Sequence, residues 1–167
     1  MRRIRTSLIA GMVAAILVPA ASAALGAVQG GAPACLRNQL GVRSNGTSGA
    51  LGTIHGAWVF KNLSTTSCSL DGYPNLQMYG RFGRPLPTTV SDSLQPGPSL
   101  VTLDPGKSAT FLSSYSDVTT GTPRCPTSSV LQITAPNAAE SHFLPADIQA
   151  CNGTINVSAV EAGVHGP

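Results

Sequence analysis

From Cys35 to Val160 the chain sustains no helical period; short β-branched and aromatic runs are cut at close intervals by Gly, Pro, Asn, Asp and Ser. Such punctuation leaves no room for long helices, so the backbone must be satisfied by pairing strands. Leu36 to Val42 reads as a first strand, ended by the turn signal Ser44-Asn45-Gly46-Thr47-Ser48-Gly49. Thr53 to Phe60 alternates and is β-rich, and the turn Asp71-Gly72-Tyr73-Pro74 leads into a short strand, Leu76 to Tyr79. Gly80 to Gly83 reads as the next turn. Pro85 to Pro98 is a Pro-rich surface connection, with Leu86 to Val90 an edge strand at most. Ser99 to Leu103 and Ser108 to Ser114 flank the turn Asp104-Pro105-Gly106-Lys107; Ser129 to Thr134 and Thr154 to Val160 complete the strands. Asn137 to Ala150 has room for one helical turn, limited by Pro145. Seven or eight short strands without an internal repeat predict an all-β sandwich, with Trp58 as a core residue.

The N-terminus sets the compartment. Met1-Arg2-Arg3-Ile4-Arg5 is basic, Ser7 to Ala20 is apolar and Ala21-Ser22-Ala23 has small residues at both ends. That order describes a secretory signal peptide over 1–23, cleaved after Ala23. Pro19 and the Ser/Ala cluster stop the apolar run short of the ~20 residues a membrane span needs. No cysteine follows the run directly, so a released protein is expected and not a lipid-anchored one. Residues 24–34 form a Gly/Ala leader, 35–160 the domain and 161–167 a tail.

Cleavage also removes the basic excess. The chain has ten Lys and Arg against seven Asp and Glu; with Arg2, Arg3 and Arg5 gone, seven face seven. A near-neutral mature chain gives no electrostatic reason to bind nucleic acid or an anionic membrane. The balance of hydrophobic and polar residues does not fit disorder either.

All four cysteines, Cys35, Cys68, Cys125 and Cys151, lie beyond the signal segment. An exported chain meets oxidising surroundings, so two disulfides are expected; no Cys-x-x-Cys knuckle suggests zinc. Three pairings are possible. Nearness in sequence favours Cys35–Cys68 and Cys125–Cys151, the first on the logic of an antiparallel hairpin. On a loop-closure argument each bridge would contribute roughly 3–4 kcal/mol.

The residues of this framework resemble the actinobacterial domain-of-unknown-function 4232 family. The resemblance is carried by Asn62-Leu63-Ser64, by Cys68-Ser69-Leu70-Asp71-Gly72-Tyr73-Pro74 and by Val101 through Asp104-Pro105-Gly106-Lys107 to Ala109. Cys35, Cys125 and Cys151-Asn152-Gly153 complete it. It implies a secreted or surface-attached immunoglobulin-like antiparallel β-sandwich with two disulfides, and it implies no activity. This chain departs from lipid-tethered relatives in having no cysteine at the end of its signal segment.

Enzyme chemistry finds little support. No Gly-x-Ser-x-Gly elbow accompanies the scattered His55, His142 and His165, and Ser48 reads as turn chemistry. Only Met78 survives signal removal, so a copper carrier lacks soft ligands; His55 reads as a packed or surface histidine. No thiol oxidoreductase motif is present, and no metal or other cofactor is expected. The sequons at Asn45, Asn62, Asn152 and Asn156 arise readily by chance in a Ser/Thr-rich chain. Two function classes remain: a non-catalytic envelope or extracellular binding module for an unknown protein or cell-wall component, and an inhibitor of a secreted protease. A monomer is expected in either case.

One surface segment is a candidate contact. Tyr79-Gly80-Arg81-Phe82-Gly83-Arg84 sets Arg81, Phe82 and Arg84 at a predicted hairpin tip, and Arg with an aromatic is the pairing most common among binding hot spots. The competing reading folds Phe82 back onto the sandwich with the arginines merely solvated. Of the two, that packed arrangement is the expected one.

Overall fold

The computed structural model describes residues 31–119, 121 and 125–167. The expected signal segment 1–23 and residues 24–30 of the expected leader lie outside the described residues. Among those described, no helix is long and apolar enough to cross a membrane.

Among the described residues eleven strands form the domain: β1 Leu40–Ala50, β2 Thr53–Asn62, β3 Cys68–Asp71, β4 Asn75–Tyr79, β5 Thr89–Ser91, β6 Leu100–Leu103, β7 Ser108–Ser116, β8 Val130–Thr134, β9 Ser141–Pro145, β10 Thr154–Val157 and β11 Glu161–Ala162. One large sheet runs β1-β2-β7-β10-β5, with β11 also on β7. Two smaller sheets, β3-β6 and β4-β8-β9, contribute to the same core. Trp58, Phe60 and Phe111 face inward from the large sheet; Leu70, Met78, Leu103, Leu131 and Ile133 meet them from the smaller ones. Phe60 and Phe111 anchor the contact with ring centroids 5.5 Å apart. The architecture is therefore an all-β sandwich in which the named strands pair antiparallel, except that β5 joins β10 in parallel.

Several local expectations are corrected. The first strand begins at Leu40, after a 3-10 turn at Arg37–Gln39, and runs through the predicted turn to Ala50. Asn45-Gly46 is absorbed as a bulge between Ser44 and Thr47, with Gly46 at φ 106°. Pairing with β2 outweighs the local turn preference, and the reversal falls at Leu51-Gly52, both at positive φ as a tight two-residue hairpin requires. The predicted helical turn in 137–150 is instead β9. Its Leu144 is half-buried against the core while Phe143 points out, and β8 takes up its backbone. The edge strand of the Pro-rich segment forms at Thr89–Ser91, on the margin of the large sheet.

Both disulfides pair as expected, Cys35–Cys68 and Cys125–Cys151. The reason for the first differs from the hairpin logic. Cys35 precedes β1 and is held beside β3 in parallel, through an Ala34–Ser69 bridge and a Cys35 N–H to Ser69 O bond of 2.9 Å.

Residues 161–167 do more than trail. After β11, Gly163 O accepts from Thr110 Oγ1 (2.8 Å) and His165 O accepts from Asn45 Nδ2 (2.8 Å). The segment thus crosses the outer face of the large sheet from β7 to β1, where Ala57 and Val59 of β2 are fully buried.

Candidate binding loop

β4 alternates, with Leu76 and Met78 buried and Asn75, Gln77 and Tyr79 outward. After Tyr79 the chain doubles back. The Gly80 N–H donates to Arg84 O (2.8 Å), Tyr79 bridges Pro85 in antiparallel fashion, and the Leu86 N–H donates to Met78 O (2.9 Å). The base is further pinned by the Gln77 side-chain amide, which donates to Leu86 O (2.7 Å) and Met78 O (2.8 Å). A Cβ at Gly80 would stand 3.3 Å from Leu86 Cδ2, so any larger residue there would push the Leu86 side chain aside by a few tenths of an ångström.

Within this clamp the turn Arg81–Gly83 puts two successive residues at positive φ: Phe82 at 62° and Gly83 at 71°. Glycine adopts that conformation freely; a bulky aromatic does so against steric resistance. The turn throws the Phe82 ring fully into solvent, at 104 % relative exposure, with Arg81 and Arg84 exposed on either side. The expectation that Phe82 folds back onto the sandwich is therefore overturned. The clamp fixes the direction of the tip, and the left-handed turn leaves the ring nothing to pack on. Between Asn75 and Thr88 there is no acidic residue, so neither arginine is neutralised locally by its own hairpin.

The adjoining outer face of β4-β8-β9 is uncharged at every outward position. Tyr79 donates its hydroxyl to Gln132 Oε1 (2.8 Å), and Gln132 Nε2 donates to Ser141 Oγ (2.7 Å). Tyr79 and the exposed Phe143 place their rings 6.0 Å apart. Aromatic and Arg enrichment beside a charge-depleted patch is the composition of interface centres. Sequence reading missed Phe143 because β9 was not recognised as a strand, although the alternation Ser141 to Leu144 carried the signal.

The other sequence candidates are dispersed. His55 is exposed on β2, Met78 is fully buried, and His165 Nε2 lies 2.8 Å from Ala162 O. Among the described residues no three His, Cys, Asp or Glu side chains gather as a metal set. On β9, His142 Nε2 is buried with no hydrogen-bond partner; burial, and secondarily the Arg37 charge, lower its pKa below the usual histidine value. Asn62 is fully buried, donating to Leu103 O and Thr66 O (2.8 Å each) and accepting from the Ser64 N–H (2.9 Å). It closes a corner of the fold; the sequon there is structural.

The family model described as Domain of unknown function (DUF4232) matches residues 35–161. The chain belongs to this family. No curated protein and no solved structure matches it. The DUF4232 span opens at the first disulfide cysteine and ends on β11, so it encloses both disulfides, the Asn62 corner and the Gly80–Arg84 loop.

Proposed function

We propose that this DUF4232 protein is an exported, non-catalytic binding module that contacts a protein or cell-wall component through Arg81, Phe82 and Arg84. One observation carries the reading: a fully exposed aromatic held at positive φ between two arginines, at the tip of a hydrogen-bonded hairpin. The fold gains nothing from that ring, and strained, outward-facing residues of this kind concentrate at ligand contacts. A rigid loop also loses little entropy on binding. Two disulfides fit an oxidising compartment, which supports export. Protease inhibition is the weaker reading, because a left-handed Phe82 departs from the extended backbone that adds to a partner's sheet edge.

The test is retention of the mature protein on cell-wall and culture-filtrate fractions, comparing wild type with Phe82→Ala and Arg84→Ala. Binding lost with melting unchanged is the expected result. Capture of a secreted protease would favour inhibition, and equal retention by all three proteins would retire the loop as a contact.

A further inference from the structure

The inner face of the large sheet has a gap in its side-chain packing at one end. Across β1, β2 and β7 the register aligns Thr47, Gly56 and Ser113, a row with almost no bulk. Trp58 and Tyr115 stand on either side of that row. Opposite it passes the segment Pro145 to Ile148, fixed where Ser128 Oγ donates to Ala146 O (2.6 Å) and accepts from the Ile148 N–H (3.0 Å). The result is a cavity of about 160 Å³ lined by both aromatics, by Ser44, Thr47 and Ser113, and by Asp147.

The β1 bulge brings Ser44 and Thr47 to this cavity, and bulges recur beside ligand sites because they re-aim side chains. Gly56 keeps it open: a Cβ there would stand 3.0 Å from Ser113 Oγ and 3.3 Å from Trp58 Nε1. Trp58 Nε1 donates to Ser113 Oγ (3.0 Å), which leaves that hydroxyl a proton to give. Tyr115 is only 8 % exposed, and it lines the cavity.

We propose that this cavity is a binding site for a single neutral sugar ring. At about 160 Å³ the cavity takes no more than one six-membered ring, benzene already occupying about 150 Å³, so the substituents of a sugar would project from its mouth past the exposed Ser44 and Thr47. Two aromatic walls offer surface to the C–H face of a sugar, and the hydroxyls of Ser44, Thr47, Ser113 and Tyr115 both donate and accept. The charged lining group is a carboxylate, Asp147, which disfavours an anionic ligand. Phosphate or a sugar acid would meet repulsion and no cation. The inference does not rest on the Gly80–Arg84 loop, which lies outside the cavity lining, and its readout is a soluble ligand and not envelope retention.

Trp58 is the sole tryptophan, so its emission reports the cavity directly. The mature protein is titrated with the methyl pyranosides of glucose, galactose, mannose and N-acetylglucosamine, following fluorescence and ligand-observed NMR. At least one is expected to give a saturable change in Trp58 emission. Tyr115→Phe is expected to weaken it about tenfold, the loss of one buried hydrogen bond. Thr47→Phe, a change at an exposed rim position, is expected to abolish it by filling the mouth. Melting curves of both variants establish that they fold, and the rim variant serves if Tyr115→Phe does not. No saturation with any of the four sugars overturns the proposal. So does binding that both folded variants retain, which places the sugar elsewhere, and so does saturation by tetramethylammonium without any response to the sugars.

Discussion

Asn62 and Phe82 invert the usual placement of their residue types: the amide is fully buried and the aromatic fully exposed. The inversions have different origins. Asn62 sits where β2 ends and the chain turns toward β3, and its side chain bonds three backbone groups at that corner, Leu103 O, Thr66 O and the Ser64 N–H. Its burial is explained by the fold. Phe82 completes nothing. Its ring makes no contact with the core, and its backbone is held in a conformation that resists side chains. A polar group inside is evidence of structural use; a constrained apolar group outside is evidence of use by something beyond the fold.

The largest effect should come from the buried amide. Asn62→Ala removes donors to Leu103 O and Thr66 O and the acceptor for the Ser64 N–H, and should destabilise the domain by about 2–4 kcal/mol in chemical denaturation. A loss below about 0.5 kcal/mol, the range of ordinary surface changes, would break the contrast with Phe82. Phe82→Gly should leave stability within about 1 kcal/mol of wild type, since relief of the left-handed strain is offset by added freedom of the unfolded chain. A larger loss would reveal a packing role for the ring.

His142 sharpens the comparison from the polar side, because its buried Nε2 lacks the partners that Asn62 has. Its pKa is lowered in the folded state, first by burial and then by Arg37, so between its folded and unfolded values the unfolded chain binds more protons. Stability should therefore hold above about pH 6.5, the ordinary histidine value, and decline as pH falls below it. The decline should be smaller in His142→Gln, measured by melting at neutral and mildly acidic pH. An unchanged pH profile would show that His142 is not its source.

What the sequence by itself determined was the alphabet of the fold. Its turn residues exclude long helices. Its spaced cysteines pair as nearness in sequence suggested, and Trp58 packs in the core. The Asp71-Gly72-Tyr73-Pro74 corner forms with Gly72 at φ 104°. These features are local or depend on single residue types, so they can be read along the chain. Only the tertiary structure decided the rest. It turned Asn45-Gly46 from a turn into a bulge, because a β2 partner was available along the whole of β1. It made β9 a strand because β8 offered an edge. It set Phe82 outside because the clamp at Gly80 and Arg84 aims the tip away from the core. Thr47, Gly56 and Ser113 are far apart in sequence, and the space they leave exists only once three strands lie in register. Strand register and sheet order arise from pairings between distant segments, and no local pattern specifies which segments those will be.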